Sequence, residues 1–295
     1  MSLTIAIVGN PNCGKTTLFN ELTGARQRTG NWPGVTVDRK TGVYRSGADA
    51  VEVVDLPGVY TLGVVAGMDA IDEKITRDFV LAGEADVVVN IVDASNLERN
   101  LYLTTQLLEM QVPTVIAVNM MDVAEENGLA VDVATLGREL GCPAVPLVAA
   151  RSSGIEALKQ AVAALAKSRQ LPDANVGYQA AIETLIQRML PKLEDIAANE
   201  GINARWLAVR MFEDDDLAAR LVADIKTAEA MDMVAEIEAE LGEDMDILIA
   251  DGRYGFANAV ARTAVRRVRQ ASRSTSDMID RWVLNPWVGL PIFLG

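Results

Sequence analysis

In the first half of the chain, short runs of apolar, β-branched residues alternate with stretches whose apolar residues recur at helical spacing. The runs that predict strands cover residues 3–8, 51–54, 87–92, 114–118 and 144–148. Amphipathic stretches, such as residues 97–109 and 155–166, lie between or after them. Strands that are apolar throughout and alternate with helices are typical of a mainly parallel sheet covered on both faces. We therefore predict an α/β fold for this half.

After Ser168 the pattern changes. Residues 171–175 are typical of a linker, and no β-rich run follows them. Pro191 and the break at residues 201–203 are expected to separate helices. Apolar residues at helical spacing predict helices over residues 178–196, 205–212, 216–225 and 231–241. The predicted organisation is an α/β domain over residues 1–168, an all-α domain over 169–272 and a terminal segment over 273–295.

Composition narrows the classes of function. The chain has 295 residues, half of them hydrophobic (50%), and a formal net charge of −14. A surface this acidic repels nucleic acid unless a local basic patch is present. There is no histidine, and the cysteines are Cys13 and Cys142, which leaves no disulfide framework and few soft metal ligands. We expect a reducing cytosolic environment and no secretory signal.

Two glycines frame the first candidate site, where residues 9–16 read Gly-Asn-Pro-Asn-Cys-Gly-Lys-Thr between a predicted strand and a predicted helix. The glycines let successive N–H groups point at phosphate oxygens, and the helix N-terminus adds positive potential. Lys15 is expected to reach the β- and γ-phosphates, and Thr16 to ligate Mg²⁺. The residues predicted to bind the nucleotide here are Gly9, Asn10, Pro11, Asn12, Cys13, Gly14, Lys15, Thr16 and Thr17.

A second polar motif, Asp55-Leu56-Pro57-Gly58, closes the predicted strand 51–54. An aspartate at a strand end near a phosphate loop can hold Mg²⁺ through water, and the Gly58 N–H can donate to a γ-phosphate. The alternative is an ordinary strand-to-turn sequence with no ligand. Its distance from the phosphate loop favours a nucleotide site that includes Asp55, Leu56, Pro57 and Gly58.

Between these motifs lies Gly30-Asn31-Trp32-Pro33-Gly34-Val35-Thr36-Val37, which is rich in loop formers and too polar at its start for a core strand. We predict a loop that the γ-phosphate holds closed, with Gly34, Val35 and Thr36 near the nucleotide and the Thr36 hydroxyl on Mg²⁺. The role of Trp32, packing or otherwise, is left open.

A third motif, Asn119-Met120-Met121-Asp122, predicts which base is bound. A carboxylate at Asp122 can accept from guanine N1–H and the exocyclic amine, a donor pair that adenine lacks. The alternative is a polar turn that caps a helix. Met120 occupies the position where most guanine-nucleotide proteins have a lysine, so we expect weaker nucleotide binding and faster nucleotide exchange. A backbone N–H from Ala149 or Ala150 is expected to meet the guanine oxygen.

Together with residues 92–101, Val-Asp-Ala-Ser-Asn-Leu-Glu-Arg-Asn-Leu, these motifs resemble the cytoplasmic part of FeoB, the bacterial ferrous-iron transport protein B. The stretches that carry the resemblance are residues 9–17, 26–37, 55–60 and 92–101, and it resumes at 285–293, which resembles the start of that family's first membrane helix. The resemblance implies a GTPase that binds GTP or GDP with Mg²⁺ at the cytoplasmic face of the inner membrane. It would regulate Fe²⁺ import by a membrane-embedded remainder, and the helical domain would inhibit nucleotide dissociation.

Slow GTP hydrolysis is expected, because Val59 occupies the position where many GTPases have a glutamine that orients the attacking water. Backbone groups around Thr36 would place the water instead. The resemblance implies that Asn12 helps to hold a K⁺ ion, and we expect carbonyls near Gly30 and Trp32 to support that ion once the loop closes. The alternative is that Asn12 only braces the loop. The expected catalytic residues are Asn12, Lys15, Thr36 and Gly58.

Two charged clusters have alternative interpretations. Glu213-Asp214-Asp215-Asp216 suggests a metal site or, preferably, a solvated helix start. Six arginines precede Trp282 and the apolar residues 287–294, which predicts the cytoplasmic side of a membrane rather than nucleic-acid binding. These arginines are Arg262, Arg266, Arg267, Arg269, Arg273 and Arg281. The apolar run is shorter than the roughly 20 residues that span a bilayer.

Three functional classes follow from these motifs. The regulatory GTPase of an iron transporter leads, ahead of a soluble GTPase of ribosome or RNA assembly and an ATP-using small-molecule kinase. Asp122 argues against the kinase, and an acidic helical domain in place of a basic one argues against RNA assembly. We expect no nucleic-acid partner and no tight Fe²⁺ binding by this part, and we allow for a homo-oligomer and a small cytoplasmic partner protein.

Overall fold

The computed structural model describes residues 3–24, 27–33, 35–47, 49–63, 70–223 and 228–268. In chain order its strands are β1 (Leu3–Gly9), β2 (Gln27–Asn31), β3 (Asp38–Ser46), β4 (Asp49–Asp55), β5 (Val87–Asp93), β6 (Thr114–Asn119), β7 (Leu129–Val131), β8 (Ala144–Pro146) and β9 (Val265–Arg267). Its helices are α1 (Lys15–Thr23), α2 (Ile71–Leu81), α3 (Leu97–Met110), α4 (Met121–Glu126), α5 (Val133–Leu140), α6 (Ile155–Ser168), α7 (Ala180–Glu200), α8 (Ala204–Phe212), α9 (Asp216–Leu221), α10 (Ala228–Leu241) and α11 (Met245–Ala264).

Seven strands form one sheet in the order β2-β3-β4-β1-β5-β6-β8. The pairs from β4 to β8 are parallel, whereas β2, β3 and β4 pair antiparallel. The sheet is therefore mainly parallel, and the predicted α/β class is confirmed. The carboxyl ends of β1, β4, β5 and β6 meet at one edge, where ligands bind in such sheets. The phosphate loop, Asp55, Asp93 and Asn119 all lie at this edge.

The prediction of a loop from residue 30 onward is wrong at its start, because Gly30 and Asn31 belong to strand β2. Every residue of β2 is exposed, and β2 is one of the two edge strands of the sheet. An edge strand that buries no side chain needs no alternation of apolar and polar residues, so the sequence of β2 is as polar as that of a loop. Strand β3 was missed for a similar reason, since its buried positions are few.

The second half is helical, as predicted, with three corrections. Pro191 lies inside α7 rather than between helices, because Met189, Leu193 and Ala197 are buried on both sides of it and their packing offsets the lost hydrogen bond. The break after Glu200 is confirmed, with Gly201 at φ 68°. The helix expected over 216–225 ends at Leu221.

The third correction concerns the residues after α10. Helix α11 was not predicted, because its apolar residues contact two different cores along its length. The statement that no strand follows residue 168 is also wrong, since β9 pairs antiparallel with β7. Arg266 and Arg267 lie in this short strand. Arg269 and the residues after it, including the apolar run 287–294, lie outside the described residues.

One apolar core joins the sheet to the helical domain. It contains Val8 and Val54 from the sheet together with Leu185 and Trp206 from α7 and α8. A second core fills the opposite face of the sheet, under α1 and α6. The helical domain therefore packs on the face of the sheet that also carries α2 and α3.

Buried ion pairs reinforce this interface. Arg253 on α11 contacts Glu109 on α3 at 3.0 Å and Glu213 at 2.5 Å, with the Arg253 side chain fully buried. Asp215 is 1% exposed and caps α9 by accepting from the Leu217 N–H at 2.9 Å. The acidic run is thus a helix start, as preferred. It is only partly solvated: Asp214 is exposed, whereas buried Arg77 and Arg253 contact its other three members, Glu213, Asp215 and Asp216.

Two features are absent from the described ranges. No cluster of three or more histidine, cysteine or acidic side chains there could hold a metal ion. No helix in the same ranges is both long and apolar enough to cross a membrane.

Candidate nucleotide site

The phosphate loop joins β1 to α1 through two left-handed residues, Asn12 at φ 66° and Gly14 at φ 97°. A Cβ on Gly9 would lie 2.5 Å from the Ile91 carbonyl oxygen, so the loop also needs glycine at its start. Burial raises the pKa of the Cys13 thiol to about 11. Cys13 is therefore a protonated packing residue that offers no thiolate to a ligand.

Asn119 connects the phosphate loop to the base motifs. Its Nδ2 donates to the Cys13 carbonyl at 2.9 Å, and its Oδ1 accepts from the Ala149 N–H at 3.0 Å. A Cβ on Gly14 would lie 2.3 Å from Asn119 Nδ2. The sequence predicted that Asn119 belongs to the nucleotide site, but it did not predict that Asn119 connects the two loops. Because the Ala149 N–H already has a partner, exposed Ala150 is the better candidate to meet the guanine oxygen.

The second motif lies against the same loop. The Val59 N–H donates to the Gly9 carbonyl at 3.4 Å, and the Leu56 N–H donates to the Ile7 carbonyl at 3.2 Å. A Cβ on Gly58 would lie 3.0 Å from Lys15 Nζ. The structure thus brings together Lys15 and Gly58, which the sequence assigned to one phosphate group.

Asp55 is the buried carboxylate of the site. It is 8% exposed, and its Oδ1 has no hydrogen-bond partner within the described residues. Burial raises the pKa of this carboxyl above its ordinary value, although the positive charges of Lys15 and Lys40 lower it in part. A buried oxygen ligand without a donor fits a hard cation such as Mg²⁺. Thr16 and Thr17 are exposed at the start of α1, so the Thr16 hydroxyl is accessible to a ligand.

The segment around Thr36 forms the tip of the β2–β3 hairpin. Trp32 N–H donates to the Val37 carbonyl at 2.9 Å, and the Trp32 carbonyl accepts from Val35 N–H at 3.3 Å. Trp32 is 6% exposed and packs edge-on against Phe79, with ring centroids 5.5 Å apart. Trp32 is therefore a packing residue here. Thr36 is exposed, and Gly34 lies outside the described residues.

The base end of the site is built from two left-handed turns. Met120 has φ 60° and precedes α4, and Ser152 has φ 52° in the turn that follows β8. Asp122 Oδ1 accepts from the Val123 N–H at 3.0 Å. Its Oδ2 lies 3.4 Å from Arg151 Nη2, a contact that the sequence did not predict.

Residues 92–101, one of the stretches that carry the resemblance, lie beside the phosphate loop. Asn100 Oδ1 accepts from Asp93 N–H at 3.3 Å, and Arg99 stacks on the Tyr60 ring at 4.5 Å. With Asn10, these residues line a polar cavity of about 170 Å³.

Further along α3, buried Gln106 accepts from the Leu62 N–H at 2.6 Å. Sequence reasoning missed Gln106, because a buried glutamine in a helix gives no motif.

Comparison with known proteins gives one consistent result. The family model described as ferrous iron transport protein B matches residues 3–162, and that described as the FeoB cytosolic helical domain matches residues 178–266. The Fe(2+) transporter FeoB of Salmonella typhimurium strain LT2 is 42% identical over 294 residues, which cover 99% of this chain and 37% of that protein. The transporter of Escherichia coli K12 is 40% identical over 298 residues. The chain thus spans little more than a third of these relatives, 37% of their length.

Solved structures agree with this assignment. A point mutant of S. thermophilus NFeoB bound to GDP has a TM-score of 0.79 and 37% identity, covering 90% of this chain and 100% of that one. The cytosolic domain of the T. maritima FeoB iron transporter in its GMPPNP form has a TM-score of 0.75 and 30% identity, covering 90% and 99%. The similarity therefore includes both the nucleotide domain and the helical domain.

Proposed function

This chain belongs to the FeoB family of ferrous iron transport proteins, and we propose that it binds and hydrolyses GTP as the regulatory part of an Fe²⁺ transporter. The observation that carries the proposal is the carboxamide of Asn119, which holds Cys13 of the phosphate loop and Ala149 of the base motif at once. Phosphate and base recognition are thereby built on one rigid framework. Relatives solved with GDP and with GMPPNP support the same ligand class.

Each part of the nucleotide has its own partners in this proposal. The backbone N–H groups of residues 9–17 and the Lys15 ammonium bind the phosphates, and the Gly58 N–H donates to the γ-phosphate. Asp122 accepts from guanine N1–H and the exocyclic amine, the Ala150 N–H donates to the guanine oxygen, and Met120 gives apolar contact.

Thr16, Thr36 and Asp55 would hold Mg²⁺, which supplies positive charge against the phosphate oxygens when bound. The unpartnered Oδ1 of Asp55 supports this role. Thr36 would join the site when the hairpin tip closes, since its side chain is exposed to solvent.

Hydrolysis is proposed to be slow. The Val59 side chain is apolar and only 1% exposed, inside the core, so it cannot orient the attacking water. Backbone groups around Thr36 take over that task. Asn12 and the carbonyls near Gly30 and Trp32 would hold K⁺, which supplies charge to the transition state when bound. Amide and carbonyl oxygens are a suitable donor set for such a hard cation.

The rest of the proposal concerns the whole protein. A membrane-embedded remainder would carry Fe²⁺ across the inner membrane, with this part on its cytoplasmic face, since the relatives are far longer than this chain. Residues 1–168 would be the GTPase domain, 169–272 the helical domain and 273–295 the segment leading to the membrane. A homo-oligomer and a small cytoplasmic partner protein belong to the same proposal.

The direct test of the enzymatic part is phosphate release from GTP and from ATP at equal concentrations, with Lys15→Ala as the inactive comparison. We expect slow release from GTP, little from ATP and none above background for the variant. Release from ATP at an equal or higher rate would contradict the proposal.

A further inference from the structure

We propose that Arg151 sets the affinity and selectivity of the base site by competing with the base for the Asp122 carboxylate. The inference rests on the proposed function, because it assigns a role within the guanine-binding site. Arg151 lies in the turn after β8, and Asp122 lies in the first turn of α4, so the two come from separate elements. The contact joins Arg151 Nη2 to Asp122 Oδ2 at 3.4 Å.

The backbone that carries Arg151 is held from several sides. Val148 and Ser153 exchange N–H···O=C bonds of 3.1 and 3.2 Å across the turn, and the Ala149 N–H donates to Asn119 at 3.0 Å. The Ser152 hydroxyl donates to Glu21 on α1. These bonds fix the backbone of the turn, so that the Arg151 side chain starts from a defined position within reach of Asp122.

Both oxygens of the Asp122 carboxylate have partners in the absence of nucleotide. Oδ1 accepts from the Val123 N–H, and Oδ2 faces the Arg151 guanidinium. Guanine recognition uses both oxygens, one for N1–H and one for the exocyclic amine. Binding of the base therefore has to displace or share the Arg151 contact, which lowers the net gain from recognition.

The same contact weakens discrimination between bases. A site rejects the wrong base mainly because its buried polar group would be left unpaired. When adenine occupies this site, Arg151 can still pair with Asp122, so that penalty is reduced. Arg151 thus acts against selectivity for guanine.

The surroundings let Arg151 move without large cost. Its side chain is 69% exposed, while that of Asp122 is 24% exposed. Both residues line an open cavity of about 640 Å³ between α4, β7 and the turn, into which the guanidinium can swing. An exposed ion pair of this kind changes an equilibrium by at most about fivefold, so the effect on GDP affinity should be of that size.

The test is a titration of Arg151→Ala with fluorescent GDP, together with stopped-flow release and competition by ATP. We expect GDP to bind about two- to fivefold more tightly, to leave correspondingly more slowly, and to be preferred over ATP by a larger factor. Arg151→Lys should retain most of the wild-type behaviour. Arg138→Ala, which removes an exposed arginine of α5, should change nothing.

A double-mutant cycle separates this role from others. In an Asp122→Asn background, Arg151→Ala should no longer tighten GDP binding, because there is no carboxylate to compete for. Weaker GDP binding by Arg151→Ala would show that Arg151 contacts the nucleotide favourably, and an unchanged affinity would show that the pair is inert; either result overturns the inference. Failure of the wild-type chain to bind GDP would instead refute the proposed function.

Discussion

Arg77 on α2 and Asp215 at the start of α9 form an ion pair with almost no exposure to solvent. Arg77 Nη1 lies 3.0 Å from Asp215 Oδ2, and the two side chains are 0% and 1% exposed. Helix α2 follows the Asp-Leu-Pro-Gly motif in the chain, whereas α9 belongs to the helical domain. The pair therefore fixes the helix that follows the Asp-Leu-Pro-Gly motif against the helical domain.

Breaking this pair should strongly destabilise the chain. Arg77→Met removes a fully buried guanidinium that contacts Asp215 and Asp216, and breaking a buried ion pair from one side costs about 3–5 kcal/mol. Arg220→Ala is the control, since it removes an exposed partner of Asp216 and should cost less than about 1 kcal/mol. Denaturant unfolding of both variants measures the difference. Equal losses would show that the buried pair is not a structural anchor.

Gly14→Ala should abolish tight nucleotide binding. The new Cβ would lie 2.3 Å from Asn119 Nδ2, at a φ of 97° that alanine rarely adopts. Gly255→Ala provides the matched control, because it lies in α11 with no atom within 4 Å of a new Cβ. That variant should gain up to about 1 kcal/mol in unfolding free energy and bind GDP normally. Normal GDP binding by Gly14→Ala would contradict the bridge assigned to Asn119.

The chain itself should not bind Fe²⁺ tightly. It has no histidine and two cysteines, Cys13 and Cys142, and both thiols are buried, with pKa values raised by burial to about 11 and about 12. Thiols that stay protonated are poor ligands for a ferrous ion. Anaerobic calorimetry with Fe²⁺ should show only weak, non-stoichiometric heats. A saturable site of one ion per chain would contradict this prediction.

Potassium should stimulate hydrolysis. If Asn12 helps to hold K⁺ at the transition state, GTP turnover should rise when K⁺ replaces Na⁺ at fixed ionic strength. Asn12→Ala should remove that rise and leave GDP affinity nearly intact. The measurement is initial phosphate release in the two salts, and equal wild-type rates would refute the role of K⁺.

The elements that bury a continuous face were predictable from the sequence. Strands β1, β5 and β6 are apolar over most of their length, and the phosphate loop stands between such a strand and an amphipathic helix. Strand β2 was not predictable, because an edge strand with every side chain exposed has no pattern that distinguishes it from a loop.

Contacts between distant segments were the part that sequence could not supply. Asn119 and Ala149 are both in predicted motifs, yet their hydrogen bond depends on how two loops meet in space. Likewise, Asp215 has the local signature of a helix cap, and its burial depends on Arg77, 138 residues away. Local patterns indicate what a residue can do, whereas its partner is set by the packing of the sheet and helices.

The central claim is that this chain recognises guanine through the Asp122 carboxylate, and a titration with GTP, ATP and XTP tests it most directly. Asp122→Asn should weaken GTP binding by at least about tenfold and improve XTP binding, because an amide can donate where xanthine presents an oxygen. Asp132→Asn, which changes the exposed cap of α5, should leave all three affinities unchanged. Unchanged GTP affinity in Asp122→Asn would contradict the account.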